Sequence, residues 1–177
     1  MEKKEHHSLF GFSLIELLII ISIIGSLALI VLVNIGPARE KARIARAKID
    51  IRQIYNAIVL LEADSEEWPG HQAPFIVAAG ASNNEICADG CSYGLSDCEA
   101  GLACDPSFPN EYPNWQGPYM ENIPEDPWGN EYFFDTDYDI EPGAGEKWAV
   151  VIGSYGPNGQ GNNQYDEDDV TYLLISE

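Results

Sequence analysis

Three groups of residues in this 177-residue sequence have types and spacings that could do chemistry. Glu16 is a carboxylate inside an apolar run, where it would cost about 2.5–3.5 kcal/mol at the centre of a bilayer and would need a partner. Four consecutive acids, residues 166–169, follow a loop rich in Gly and Asn. Carboxylate and carbonyl oxygens are the ligands that Ca²⁺ takes in proteins. The third group is four cysteines within 18 residues.

Two of these groups also have simpler explanations. Glu16 could lie near the lipid headgroups, where the cost of its charge is smaller. The acidic loop does not have the spacing of an EF-hand, and its composition alone favours a solvated surface segment. Adjacent carboxylates repel each other unless solvent or a cation screens them.

The apolar run around Glu16 extends from Phe12 to Val33, which is 22 residues. As a helix it would span about 33 Å, enough to cross a bilayer. Lys3 and Lys4 precede the run, so the leader is expected to stay in the cytoplasm, although six basic residues just after the run weaken that inference. A secretory signal would have a shorter apolar core and a small-residue cleavage site, so the main alternative is a plain signal anchor.

Charge is divided unevenly along the chain. Lys147 is the only Lys or Arg in residues 53–177, against 24 acids, so this part carries a formal charge of −23. A domain this acidic is not expected to bind nucleic acid through phosphates. It should be soluble and self-repelling unless cations or basic surfaces neutralise it.

The cysteines follow the spacing C-x3-C-x6-C-x5-C, which lacks the paired C-x2-C of most zinc ribbons. Behind an export signal, disulfides are the better interpretation. Three pairings are possible, and the sequence does not choose among them. Sequential pairing would make small loops and would join Cys87 with Cys91 and Cys98 with Cys104.

The segment GFSLIE at residues 11–16 resembles the prepilin peptidase recognition segment of type IV pilins and type II secretion pseudopilins. The resemblance implies cleavage after Gly11 and N-methylation of the new terminal residue, Phe12. It also gives Glu16 a role in assembly, in which its carboxylate pairs with the Phe12 amine of a neighbouring subunit. Charges in a low-dielectric filament core are costly alone and tolerable when paired, so the pair would set register more than stability.

Two further segments resemble the major pseudopilin of type II secretion. Residues 117–120 (GPYM) and 124–132 (PEDPWGNEY) are similar to its GPYL…P.DPWGNPY segment. The loop that begins at residue 154 is similar to its calcium loop before the last strand. This similarity implies a structural Ca²⁺. Its ligands would be a carbonyl near Tyr155, Asn158 where the family often has Asp, and Asp168 and Asp169, with Asp166 as an additional ligand.

The elements that would position these residues form an α+β pilin fold, in which a long N-terminal helix packs on a small antiparallel β-sheet head. The helix is expected from about Phe12 to Asp64, and Pro69 and Gly70 cannot continue it. The family's usual helix-breaking proline would fall at Val33, where this chain has no proline. The sequence therefore leaves open whether the helix unwinds on assembly. An apolar stripe at helical spacing is predicted at Ala42, Ala45, Ile49, Ile54, Ile58 and Leu61.

Strands are predicted to begin at residues 132–134 and to cover 148–152 and 171–175. A turn at Asp126 leads into the first strand, and Trp128 is expected as a buried anchor under the sheet. Four regions result: a prepilin leader (1–11), a transmembrane and polymerisation helix (12–35), an amphipathic stalk helix (36–64) and an extracytoplasmic head (65–177). Within the head, a cysteine-rich loop (70–118) precedes the C-terminal sheet.

The resemblance to the pseudopilins implies a structural subunit of a type II secretion pseudopilus, a helical filament that supports protein export. It would be a single-pass protein of the inner membrane, with its head in the periplasm or outside the cell. Expected partners are copies of itself, minor pilins or pseudopilins, prepilin peptidase and the inner-membrane assembly platform. The alternative is a type IV major pilin for adhesion, motility or DNA uptake, which the cysteine-rich insert favours.

A membrane-anchored enzyme or binding protein is the candidate from another class. The sequence offers little for it, since His6, His7 and His71 are the only histidines and two of them lie in the leader. The sequence has no Ser-His-Asp set, no H-E-x-x-H motif and no phosphate-binding glycine loop. The chain is therefore predicted not to be an enzyme.

Overall fold

The computed structural model describes residues 12–80, 84–87, 91–107, 109, 111–143, 145, 147–161 and 163–176, with the side chains of residues 30–34 excepted. The leader, with Gly11, lies outside the described residues. The described residues form one long helix and three strands: α1 (Leu14–Ser65), β1 (Phe133–Asp139), β2 (Trp148–Ser154) and β3 (Val170–Ser176). The strands form one antiparallel sheet in the order β1-β2-β3, which confirms the predicted α+β class.

The chain divides into two compact units, residues 1–41 and 42–177. In the first unit, the described side chains from Phe12 to Leu29 are all exposed. Pro37 lies inside α1 and does not end it. Among the described residues, we find no helix that combines the length and the apolar character needed to cross a bilayer. The membrane-spanning assignment of residues 12–35 stays a prediction.

In the second unit, α1 buries a face at Ala47, Ile51, Ile54, Ile58 and Leu61, which are spaced alternately by four and three residues. That spacing keeps the five side chains on one side of a helix with 3.6 residues per turn. The predicted stripe is correct from Ile54 onward and wrong before it.

Ala42, Ala45 and Ile49 are exposed, contrary to the predicted stripe. Ile49 precedes Ile54 by five residues, which turns its side chain about 140° away from the buried face. Asp50 is buried on the inner side of α1, where it accepts hydrogen bonds from Arg46 Nε (2.7 and 2.9 Å) and from the Tyr132 hydroxyl (3.2 Å). The guanidinium of Arg46 therefore pairs with a carboxylate of its own chain.

The sheet has a hydrophobic cluster on each face. Phe134, Val150 and Ile152 belong to the cluster that contains the buried face of α1. Phe133 and Tyr138 belong to a second, smaller cluster with Cys87, Ala149, Val151 and Tyr155. Both faces are covered, so β1 is buried along its whole length.

The cysteine-rich loop supplies part of this cover. Its disulfides are sequential, joining Cys87 to Cys91 and Cys98 to Cys104. Trp128 is only half-buried, contrary to the prediction of a buried anchor. Trp68, at the end of α1, is the tryptophan that is buried, and its indole N–H donates to Glu62 (2.8 Å).

Candidate functional site

The acidic loop folds around Asn158, which ends a short 3-10 turn after β2. The Asn158 N–H donates to Asp168 Oδ2 (3.0 Å), and its side-chain Nδ2 donates to Asp168 Oδ1 (2.7 Å) and Asp166 Oδ2 (2.9 Å). The structure therefore brings together three of the predicted ligands. Asn158 Nδ2 thus donates to the carboxylates of two different acids.

Asp169, the residue before β3, completes the group. Its Oδ2 accepts hydrogen bonds from the Asp166 N–H (2.7 Å) and from the Tyr138 hydroxyl. Its Oδ1 is buried and has no hydrogen-bond partner among the described residues. Burial raises the pKa of Asp169 to about 6, because desolvation disfavours the ionised form. Carboxylate oxygens are ligands that Ca²⁺ takes in proteins, so the unpartnered Asp169 Oδ1 is a candidate ligand of the predicted site.

The turn that begins at Asp126 is hydrogen-bonded to this loop. Asp126 Oδ1 accepts the N–H groups of Trp128 (2.9 Å) and Asn130 (2.8 Å), and Asp126 Oδ2 accepts the Ser154 hydroxyl. Asn130 Nδ2 donates to the Gly156 carbonyl (2.9 Å). The turn is thus bonded to both the end of β2 and the start of the loop.

Gly156 is required by the close approach of the two ends of the loop. Its φ is +62°, and a Cβ there would overlap the backbone carbonyl of Asp168. Only glycine adopts this conformation without strain and leaves that space open. Sequence analysis missed Gly156, Asn130 and Ser154 as positioning residues, although the intact DPWGN segment was a signal for Asn130.

Tyr155 takes a different position from the other predicted ligands. Its ring is buried against Phe133, with centroids 4.2 Å apart and planes at 12°. The phenol therefore belongs to the second hydrophobic cluster. The predicted role of a carbonyl near Tyr155 stays a prediction.

The N-terminal segment forms a helix cap. Glu16 Oε2 accepts the Ser13 N–H (2.9 Å), and Ser13 Oγ accepts the Ile15 N–H (3.3 Å). This arrangement is a variant of the capping box in which Ser13 bonds the second rather than the third helical N–H, and it satisfies N–H groups that have no partner within the helix. Sequence analysis missed it, although S-x-x-E before an apolar run is its signature. Phe12, just before the cap, is 75% exposed.

A family model and individual relatives both match this chain to the same kind of protein. A family model described as type II secretion system (T2SS), protein G, matches residues 96–173. Type II secretion system core protein G of Escherichia coli (strain K12) is 30% identical over 166 residues, covering 94% of this chain and 92% of that protein. The chain belongs to the family of type II secretion system protein G.

Other members of the protein G family show similar agreement. Core protein G of Vibrio cholerae is 27% identical and covers 85% of this chain and 82% of its own length. The Pseudomonas aeruginosa protein is 26% identical, with 88% of this chain and 91% of its own length covered. A crystal structure of the major pseudopilin from the type 2 secretion system of enterohaemorrhagic E. coli is 20% identical, with a TM-score of 0.49, and covers 78% of this chain and 88% of that one.

The protein G family model places the loop and its support within the matched part of the chain. Residues 96–173 include the turn at Asp126, the loop from Gly156 to Asp169 and the start of β3. The capping box at Ser13 and Glu16 lies outside that range, as does the first disulfide.

Proposed function

We propose that the protein is a structural subunit of a type II secretion pseudopilus, cut by prepilin peptidase after Gly11 and assembled into a helical filament that supports protein export. The observation that carries this proposal is the similarity to core protein G over 94% of the chain, which takes in α1 as well as the head. The relatives' shared name favours this function over a type IV major pilin. No enzymatic role is part of the proposal.

The proposed subunit is anchored in the inner membrane by α1 before assembly, with its head outside the cytoplasm. Its partners are further copies of itself, minor pseudopilins, prepilin peptidase and the inner-membrane assembly platform. Cleavage would free a cationic amine on Phe12, next to the capping box. In a filament, that amine could meet the Glu16 carboxylate of a neighbour, because Glu16 is exposed and only its Oε2 accepts the Ser13 N–H.

Mass spectrometry of the mature chain tests the processing step. The purified protein is expected to begin at N-methylated Phe12. A chain that keeps residues 1–11 in cells with active prepilin peptidase would contradict the proposal. Deletion of the gene should abolish protein export, whereas loss of surface pili with export intact would support the type IV pilin instead.

Calcium is the structural cation that we propose for the loop. Asn158, Asp166, Asp168 and Asp169 would hold it, and the fit rests on their proximity and on the unpartnered Asp169 Oδ1. A bound Ca²⁺ supplies the positive charge that lets these carboxylates lie together. In its presence the Asn158 amide can rotate and present its oxygen in place of its N–H group.

Calorimetric titration of the full chain in detergent micelles with Ca²⁺ tests this site. The double variant Asp168→Asn, Asp169→Asn is expected to lose about one bound ion relative to the unaltered chain, because two charged ligands are removed. Glu125→Gln, at an exposed acid outside the loop, is the matched control and should bind as before. Equal stoichiometry in the double variant and the unaltered chain would exclude the loop as a calcium site.

A further inference from the structure

A second group of carboxylates lies where the cysteine-rich loop meets the free edge of β1. The Ile86 N–H donates to the Phe134 carbonyl (2.9 Å), and the Ile86 carbonyl accepts the Phe134 N–H (3.0 Å), so Ile86 forms an antiparallel bridge with β1. This register places Glu85 opposite Asp135. Like charges directly opposite each other in an antiparallel pair destabilise it. The pairing needs something that offsets this repulsion.

Three acidic side chains converge at this edge. Carboxylate oxygens of Glu85, Asp135 and Asp137 all lie within 4.8 Å of one another. Asp135 is 1% exposed and Asp137 is 0% exposed. An ionised carboxylate at such depth is costly unless it is paired or coordinates a metal.

Among the residues that the structure describes, the hydrogen-bond donors to the two buried acids are neutral. Asp135 Oδ1 accepts the Asp137 N–H (2.9 Å), and Asp135 Oδ2 faces the amide of Asn163 (3.2 Å). Asp137 Oδ1 accepts Asn84 Nδ2 (2.6 Å). Within residues 53–177 the only Lys or Arg is Lys147, which pairs with Glu141 (3.0 Å).

Two oxygens at the cluster have no hydrogen-bond partner among the described residues. They are Asp137 Oδ2 and Asn84 Oδ1, and both side chains are more than nine-tenths buried. The side-chain Nδ2 of Asn84 donates to Asp137 Oδ1. A rotation of this amide by 180° would therefore place Oδ1 next to the acids.

We propose that Glu85, Asp135 and Asp137, with the amide oxygen of Asn84, form a second Ca²⁺ site that holds residues 84–87 against β1. It shares no residue with the calcium loop and goes beyond the proposed function. All four groups offer oxygen, which is the ligand atom of hard cations. Ca²⁺ fits better than Mg²⁺, because Mg²⁺ keeps several of its waters and demands near-ideal octahedral geometry.

Equilibrium dialysis of the full chain in detergent micelles against Ca²⁺, with excess Mg²⁺ present, tests the second site. The unaltered chain is expected to bind two Ca²⁺ ions, one in the calcium loop and one in the second site. The double variant Asp168→Asn, Asp169→Asn should keep the ion of the second site. Asp137→Asn should abolish that further ion. Glu85→Gln should weaken it about tenfold, because the site loses one of its three charged ligands.

Glu85 is half-buried, so Glu85→Gln is the variant whose folding is least at risk and decides the question if Asp137→Asn does not fold. Glu125→Gln makes the same change at an exposed acid and should leave Ca²⁺ binding unchanged. If Glu85→Gln binds Ca²⁺ with the same stoichiometry and affinity as the unaltered chain, the proposal is wrong. If the chain binds one ion that responds to Glu85→Gln but not to the loop variant, the second site stands and the calcium loop does not.

Discussion

At the scale of single residues, Glu16 has one role that the structure shows and a second role that we propose. Its carboxylate caps the start of α1 by accepting the Ser13 N–H. The proposed assembly role instead needs its negative charge, since the partner would be the Phe12 amine of another subunit. A cap can be made by Glu or Gln, whereas a charge pair requires Glu.

Substitutions at Ser13 and Glu16 can therefore test assembly apart from capping. Glu16→Gln should keep the cap, enter the membrane normally and assemble poorly, because the charge is lost. Ser13→Ala removes the Oγ acceptor and should lower helix stability by about 0.5–2 kcal/mol. The Ser13→Ala subunit should still assemble into filaments. Filament yield after shearing is the measurement.

The opposite pattern would refute the charge-pair argument. Normal filaments from Glu16→Gln, together with poor filaments from Ser13→Ala, would show that the cap is what assembly requires. Glu16→Ala removes both features and serves as the reference for complete loss.

At the scale of elements, the contact between α1 and the sheet depends on a face that starts at Ala47. The buried positions include Ile54 and Ile58, whose side chains are 0% exposed, whereas Ile49 is 56% exposed. Burying an isoleucine side chain contributes about 1.5–3 kcal/mol. Most of the stabilisation from this helix should therefore come from its second half.

Alanine substitution at Ile54 and Ile49 tests this distribution. Ile54→Ala should lower the free energy of unfolding by about 2–5 kcal/mol, because it removes buried methyl groups and leaves a cavity. Ile49→Ala, the same change on the exposed side of the helix, should stay within about 0.5 kcal/mol. Urea unfolding of the full chain in detergent measures both. Equal losses at the two positions would contradict the assignment of the buried face.

At the scale of the whole molecule, charge is the dominant feature. The chain has a formal charge of −20, and the eight Lys and Arg other than Lys147 all lie at or before Arg52. An imbalance of this size destabilises a compact state through self-repulsion, which salt screens. Basic surfaces of neighbouring subunits could screen it in the same way within a filament.

Salt dependence tests this self-repulsion directly. With EGTA present to remove divalent cations, raising KCl from low to moderate ionic strength should raise the melting temperature of the full chain. The physical reason is that screening weakens repulsion among the acids of residues 53–177. Sucrose at matched osmolality controls for general solute effects. A melting temperature that is unchanged or falls with KCl would argue against repulsion as a significant term.

The sequence by itself determined the features that depend on neighbouring residues. Helical periodicity from Ile54 onward, the three strands and the order of elements were predicted correctly, because apolar spacing and turn residues act over short distances. The same local information carried the resemblance at residues 11–16 and the grouping of Asn158 with Asp168.

Only the tertiary structure decided which acids are buried and what lies beside them. Asp50, Asp135 and Asp137 look like any other acid in an acidic chain, yet each is inside the fold. Their burial follows from contacts between distant segments, such as the bridge between Ile86 and β1. Register between strands far apart in sequence is set by the packing of the whole core, which no local pattern in the sequence encodes.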